Sequence, residues 1–323
     1  MGEKLDNTLA VLNGLLGDYL VRTDNGLATQ MAFYAHGRPV PLTAEGLARV
    51  CAQPSSRVVL LLHGTMCTES IWLQPDGSDY GSLLARDFGY TPLYVRYNTG
   101  NPIADNGAAL DALLRALVLI YPRPIDELLP LGYSMGGLVI RSACHFAALD
   151  SAPWLSLVRH AIYVATPHRG APAERFGRIL SRVLKAVPDP YAQLVGQLAD
   201  LRSAGVKDLG DADLRHEDRA AVHGRLSLRD LHHPLPLLPS IRHRLIAGAL
   251  PATPLLAELF GDALVPVGSA TDGRSRAGHA SSEVALPAGH VRVIPGLSHL
   301  ALARHPDVYA QIRAWCEEEQ CKT

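Results

Sequence analysis

The chain has 323 residues, of which 48% are hydrophobic and 19% are charged. This amount of apolar material excludes an intrinsically disordered chain, and the length accommodates one large domain or two of ordinary size. The 30 basic and 31 acidic side chains give a formal net charge of −1. Nucleic-acid-binding domains are usually basic, so we expect no nucleic-acid partner.

The predicted elements begin with an N-terminal extension over 1–50, in which LNGLLGDYL (12–20) has the pattern of an amphipathic helix that packs on the core. Short runs of β-branched and aliphatic residues then predict strands at 57–62, 91–97, 127–133, 160–165, 241–249 and 290–295. Helical periodicity predicts helices at 106–121, 134–148 and 300–318. This alternation indicates an α/β fold with a mostly parallel central sheet flanked by helices.

Residues 168–240 interrupt the alternation, because they contain no convincing strand. A predicted helix in this interval has five apolar side chains on one face: Phe176, Ile179, Leu180, Val183 and Leu184. The Pro-rich segment HHPLPLLPS at 232–240 ends the interval. We expect a helical lid or cap that offers an apolar wall to a substrate and makes weak contact with a lipid interface. The alternative is extra packing on the sheet.

The sequence contains five cysteines: Cys51, Cys67, Cys144, Cys316 and Cys321. They form no CxxC pair and their number is odd, which favours a reducing compartment, although the count is compatible with one disulfide. The N-terminal segment has early charges and lacks the apolar core of a signal peptide. No run approaches the roughly 20 apolar residues of a membrane span. We therefore expect a cytoplasmic protein.

The strongest local motif is Gly132-Tyr133-Ser134-Met135-Gly136, which fits the pattern G-x-S-x-G. An apolar strand precedes it and a helical pattern follows it, which is the strand–turn–helix setting of an exposed nucleophilic serine. Ser134 is therefore the candidate nucleophile. The alternative is an ordinary helix cap.

A second motif lies where the run at 57–62 ends, at His63-Gly64-Thr65-Met66. Acyl transfer needs two donors directed at the developing oxyanion, and these are usually backbone N–H groups. We expect one from Met135 and the other from Thr65, with Met66 as the alternative to Thr65. Gly64 would let this loop approach the serine closely.

A serine hydroxyl also needs a general base, and His299 is the best candidate among 14 histidines. It follows the last predicted strand in GLSH and precedes a predicted helix, which agrees with the chain order Ser, acid, His. His290 would lie at the wrong end of that strand, and His305 lies beyond the loop.

The carboxylate that orients this base should follow the strand predicted at 241–249. The candidates are Glu258, Asp262 and Asp272. Asp262 is favoured, because it follows a glycine and precedes the apolar segment ALVP. Asp272 lies in a polar stretch, and Glu258 lies in a helical pattern.

Together these segments resemble the α/β-hydrolase superfamily, and within it the bacterial lipases and esterases related to GPI-inositol-deacylase-like hydrolases. The resemblance is carried by five segments: LLLHGT (60–65), LGYSMGGLVIRSA (131–143), YVATPHRGAP (163–172), GDALVPVGSA (261–270) and GLSHLAL (296–302). It implies a triad of Ser134, Asp262 and His299, oxyanion donors from Thr65 and Met135, and neither a metal nor an organic cofactor. The lid region matches no substrate signature, so a glycolipid substrate does not carry over. His168 in the third segment is expected to be structural.

The sequence thus predicts a single domain over 1–323 and a serine carboxylic-ester hydrolase that forms an acyl-enzyme on small to medium, largely apolar esters or lipids. Met66 and Tyr133 are predicted to contact the substrate. One alternative is an acyltransferase with the same triad and an alcohol or amine acceptor. The other is a non-catalytic binding protein, because fold alone does not fix function.

Overall fold

The computed structural model describes residues 2–51, 53–170, 203–211, 213–216, 235–250, 265, 267–271, 286–287 and 289–321. Its strands are β1 (Ala32–Ala35), β2 (Arg38–Pro39), β3 (Arg57–Leu62), β4 (Thr91–Arg96), β5 (Glu127–Tyr133), β6 (His160–Val164), β7 (Arg242–Ala249) and β8 (Val291–Pro295). Its α-helices are α1 (Gly2–Arg22), α2 (Ala44–Val50), α3 (Tyr80–Phe88), α4 (Ile103–Ile120), α5 (Met135–Leu149), α6 (Ala204–Asp211), α7 (Val267–Ala270), α8 (His299–Leu302) and α9 (Pro306–Gln320). Short 3₁₀ helices lie at Glu69–Trp72 and Pro153–Leu157.

The strands form one sheet in the order β2-β1-β4-β3-β5-β6-β7-β8. Neighbouring strands from β4 to β8 are parallel, whereas β1 is antiparallel to both β2 and β4. The predicted mostly parallel α/β sheet is therefore confirmed. Because parallel strands end at the same edge, the loops that follow β3, β5 and β8 meet there.

Both faces of the sheet are covered. Val58, Leu60 and Leu62 of β3 belong to one buried apolar cluster, whereas Val59 and Leu61 belong to a second cluster on the opposite face. This two-sided burial explains why the strand appears in the sequence as an uninterrupted apolar run.

The edge hairpin β1–β2 was not predicted. Its two connecting residues, His36 and Gly37, both have positive φ, 50° and 72°. These angles are typical of a type I′ hairpin turn, which is usually marked by Asn-Gly rather than His-Gly.

The single helix predicted over 300–318 was wrong, because the chain forms α8 and α9 there. Pro306 cannot donate a backbone hydrogen bond and occupies the first turn of α9. His305 caps this helix, since its Nδ1 accepts from the Asp307 N–H at 3.2 Å.

The N-terminal helix α1 packs against α6, the described helix of the 168–240 insertion. Most of that insertion, 171–202 and 217–234, lies outside the described residues. No helix in the described ranges is both long and apolar enough to cross a bilayer.

The amino ends of β3, β5 and β6 are joined through the carboxylate of Glu127. Arg57 Nε donates to Glu127 Oε2 at 2.8 Å, and the Tyr90 hydroxyl donates to Oε1 at 2.7 Å. His160 Nε2 lies 3.1 Å from the same Oε1. Burial raises the pKa of Glu127, but the partners His160, Tyr90 and Arg57 outweigh it and lower the pKa from 4.5 to about 2.

We expect Glu127→Gln to lower the free energy of unfolding at pH 7 by about 1.5–3 kcal/mol, because a buried charged hydrogen-bond acceptor is lost. The pKa of Glu127 is depressed on folding, so its stabilising effect is complete above about pH 4.5 and disappears as the pH falls toward 2. Urea denaturation from pH 7 to pH 2.5 should therefore show the difference between variant and wild type closing with acid. Glu317→Gln, at an exposed pair with Arg313, is the control. A gap independent of pH would contradict the assignment.

Candidate active site

Ser134 lies on a sharp turn between β5 and α5. Its backbone angles are φ 53° and ψ −124°, outside the regions that residues with a side chain ordinarily adopt. Its N–H donates to Val164 O at the end of β6, at 2.8 Å. The turn is thus fixed to the neighbouring strand, and the serine stands directly before the first residue of α5.

The glycine at position 136 is required by a close approach of two backbones. A Cβ on Gly136 would lie 2.5 Å from Leu62 O and 2.6 Å from His63 O. The start of α5 therefore packs directly on the end of β3. The second glycine of the G-x-S-x-G motif brings the serine turn and the β3 loop together.

His299 begins α8, in the loop that follows β8. Its Nε2 lies 3.0 Å from Ser134 Oγ, and both side chains are buried. The two residues are 165 positions apart in sequence and follow β5 and β8, whose carboxyl ends lie at the same edge of the sheet. The distance is within the range needed for proton transfer between a serine and a general base.

Tyr133 supports the histidine from the sheet side. Its hydroxyl donates to His299 O at 3.1 Å, and its ring centroid lies 5.1 Å from the imidazole. The Tyr133 ring also packs edge-on against Trp72. Its side chain is 1% exposed. The sequence did not predict this supporting contact.

The loop after β3 makes a tight turn from Gly64 to Cys67, closed by a hydrogen bond from the Cys67 N–H to Gly64 O at 3.3 Å. Met66, at the third position of this turn, has φ 59°. A non-glycine residue in that region costs about 1–3 kcal/mol. The Met66 N–H donates to the buried Thr99 Oγ1 at 3.1 Å. Thr65 faces the start of α5, because its Oγ1 lies 3.6 Å from Met135 Sδ.

His63 supports the same loop through contacts with Gly64 and Tyr97. Its ring stacks on Tyr97 at 4.6 Å, its Nδ1 lies 2.9 Å from Gly64 O, and its Nε2 lies 3.4 Å from the Tyr97 N–H. Burial lowers the pKa of His63 to about 4, so the ring is neutral at pH 7. A neutral ring with its proton on Nδ1 suits both neighbours, since Nδ1 then donates and Nε2 accepts.

The remaining sequence candidates lie elsewhere. Asp262, Glu258 and Asp272 are outside the described residues. His290 directly precedes β8, at the end opposite to His299.

The buried histidine of the third motif, His168, lies beside an arginine rather than beside the serine. Its Nδ1 is 3.1 Å from Arg141 Nη1, and its ring packs edge-on against Tyr163. Among the residues that the structure describes, no three His, Cys, Asp or Glu side chains are grouped to hold a metal ion.

The parallel sheet, the serine on a strained strand–turn–helix connection and the histidine from the last strand's loop define an α/β-hydrolase fold. No family model and no curated protein matches the sequence.

Solved structures with a similar fold include the Bacillus licheniformis lipase BlEst2 in mature form, at 18% identity and a TM-score of 0.48 over 82% of this chain and 92% of that one. The Pyrococcus furiosus esterase Pf2001 has 13% identity and a TM-score of 0.46, with 82% and 83% covered. The type II thioesterase YbtT of the yersiniabactin biosynthetic pathway has 15% identity and a TM-score of 0.43, with 82% and 92% covered.

We expect Gly136→Ala to destabilise the fold, because the added methyl group would collide with two carbonyl oxygens of the β3 end. Overpacking of this kind typically costs about 1–3 kcal/mol, measurable as a shift of the urea unfolding midpoint. Gly26→Ala is the matched control, since nothing lies within 4 Å of its added Cβ and its cost should stay within about 0.5 kcal/mol. Equal midpoints for the two variants would refute the close approach.

Proposed function

We propose that the chain is a serine carboxylic-ester hydrolase that works through an acyl-enzyme. The observation that carries the proposal is the 3.0 Å contact between His299 Nε2 and Ser134 Oγ on the strained turn. A serine, a base within hydrogen-bond reach and a nearby helix amino terminus are the parts that nucleophilic attack on a carbonyl requires.

In this mechanism Ser134 Oγ attacks the ester carbonyl while His299 Nε2 takes the hydroxyl proton. The same nitrogen then gives the proton to the departing alcohol, and the acyl group is left on Ser134. A water molecule, deprotonated by His299, attacks the acyl-enzyme, and the serine leaves with the proton returned from the imidazolium.

The oxyanion formed in both halves of the reaction would be bound by the backbone N–H groups of Met135 and Thr65. Two observations favour Thr65 over Met66 as the second donor. The Met66 N–H is already engaged by Thr99, and the Thr65 side chain contacts Met135. The amino terminus of α5 adds favourable dipole charge beside Ser134.

Asp262 is proposed as the carboxylate that orients the imidazole and stabilises its charged form. The proposal rests on its place in the chain between β7 and α7, since the Ser, acid, His order of this fold puts the acid there.

The proposed substrates are small to medium, largely apolar esters, with Met66 and Tyr133 as contact residues and the 168–240 insertion as a lid. The relation to GPI-inositol-deacylase-like bacterial lipases and esterases and a cytoplasmic location belong to the same proposal. They rest on the sequence segments and on the cysteine usage.

Ser134→Ala should reduce kcat/KM for p-nitrophenyl butyrate by about 10⁴-fold or more, because removal of the nucleophile leaves only binding and oxyanion stabilisation. A fluorophosphonate probe should label the wild-type chain at Ser134 and leave this variant unlabelled. Ser156→Ala, at an exposed serine, should keep both properties. Ester hydrolysis retained by Ser134→Ala would refute the proposal.

Asp262→Asn should lower kcat on the order of 10⁴-fold, as expected when the tautomer and charge of the base lose their carboxylate partner. Glu258→Gln and Asp272→Asn are matched controls from the same stretch of sequence and should stay within a few-fold of wild type. The kinetics of all three variants on one p-nitrophenyl ester test the assignment. A large loss in either control, with Asp262→Asn active, would transfer the role to that residue.

A further inference from the structure

The strained turn of the β3 loop is held by a residue outside the motifs. Thr99 belongs to the connection between β4 and α4, and its side chain is 2% exposed. Its Oγ1 accepts the hydrogen bond from the Met66 N–H, 33 positions away in sequence. Met66 is the residue with positive φ, so the acceptor is placed at the point where the backbone is strained.

Turns of four residues have two common geometries that differ in the sign of φ at the third residue. A four-residue turn can exchange a positive φ at its third residue for a negative one by rotating the peptide bond between the second and third residues. In this chain that bond joins Thr65 to Met66. Rotation would turn the Met66 N–H away from Thr99 and leave a buried donor without its acceptor, so the Thr99 hydroxyl favours the strained geometry.

The N-terminal helix in turn fixes Thr99. A Cβ on Gly14 of α1 would lie 2.3 Å from Met66 Cγ and 3.2 Å from Thr99 Oγ1, so the helix backbone contacts both residues directly. Asn98 Nδ2 donates to Gly17 O at 3.0 Å. A Cβ on Gly100 would lie 2.1 Å from Asn13 O. Helix α1 therefore packs directly on the segment between β4 and α4 that contains Thr99, and on Met66 of the β3 loop.

We propose that Thr99, clamped by α1, is a positioning residue that keeps the Gly64–Cys67 turn in the observed geometry and thereby holds Thr65, whose carbonyl group belongs to the peptide unit that Thr99 fixes and whose own N–H serves the oxyanion. The proposal rests on the ester-hydrolase function above and adds a role for the N-terminal helix in catalysis. Thr99 acts through the loop and does not touch the reacting atoms.

A misplaced oxyanion donor lowers stabilisation of the transition state more than binding of the ground-state ester. Loss of the Thr99 acceptor should therefore appear in kcat rather than in KM. Affinity for a trifluoromethyl ketone, which forms a tetrahedral adduct with the serine, should fall together with kcat. The pH dependence of kcat/KM should not move, because the base His299 is not involved.

The experiment compares Thr99→Val with Thr99→Ser on p-nitrophenyl butyrate. Valine keeps the shape and removes the acceptor, whereas serine keeps the acceptor. We expect Thr99→Val to lower kcat by about 10- to 10²-fold, the effect of misplacing a catalytic group by roughly 1 Å, with KM within about 3-fold. Thr99→Ser should restore kcat to within about 3-fold of wild type.

A second pair of variants tests the clamp from the α1 side and covers the case in which Thr99→Val does not fold. Gly14→Ala should lower kcat and trifluoromethyl ketone affinity together, because its methyl group would lie 2.3 Å from Met66 Cγ and 3.2 Å from Thr99 Oγ1. The KM of this variant is not a readout, because the Met66 side chain is a proposed substrate contact. Gly26→Ala, in the loop after α1, should behave as wild type.

Three outcomes would overturn the positioning role while leaving the hydrolase function intact. They are wild-type kcat in folded Thr99→Val and Gly14→Ala, equal losses in Thr99→Val and Thr99→Ser, or a loss confined to KM. An inactive wild-type chain that the fluorophosphonate does not label would instead overturn the proposed function itself.

Discussion

The turn at Ser134 is the constraint on which the rest of the site depends. Its positive φ is tolerated because the Ser134 N–H is bonded to the end of β6 and because Gly136 lets α5 begin directly against β3. Together they tie one residue to three neighbouring strands, β3, β5 and β6.

Because the central strands are parallel, the other residues of the site meet Ser134 at the same edge of the sheet. The loops after β3, β5 and β8 come from widely separated parts of the sequence, yet they end at one edge of the sheet. His299 contacts Ser134 across 165 positions, and Tyr133, the residue before the serine, donates a hydrogen bond to the carbonyl oxygen of the same histidine. The nucleophile Ser134 and the residue that supports the base, Tyr133, are therefore neighbours at the carboxyl end of β5.

The elements that could be predicted from the sequence lie at the centre of the sheet, where burial restricts the type of residue at each position. The strands at 57–62 and 127–133 are buried on both faces and give continuous apolar runs, and Ser134 and His299 follow from motif and chain order. The His36–Gly37 hairpin escaped prediction because its positive φ at a histidine has no composition signal. Thr99 escaped because its meaning comes only from a contact with Met66 formed after folding.

Ser134 and Met66, two of the residues with positive φ, are placed in the same way. Each precedes or follows an amide proposed to bind the oxyanion, and each is held by a hydrogen bond to an adjacent strand or its loop, β6 in one case and the β4 connection in the other. The buried carboxylate of Glu127 joins the opposite ends of β3, β5 and β6, the same three strands that hold the serine turn. The contacts of Glu127 thus lie at the amino ends of these strands, whereas Ser134 and Met66 lie beyond the carboxyl ends of β5 and β3.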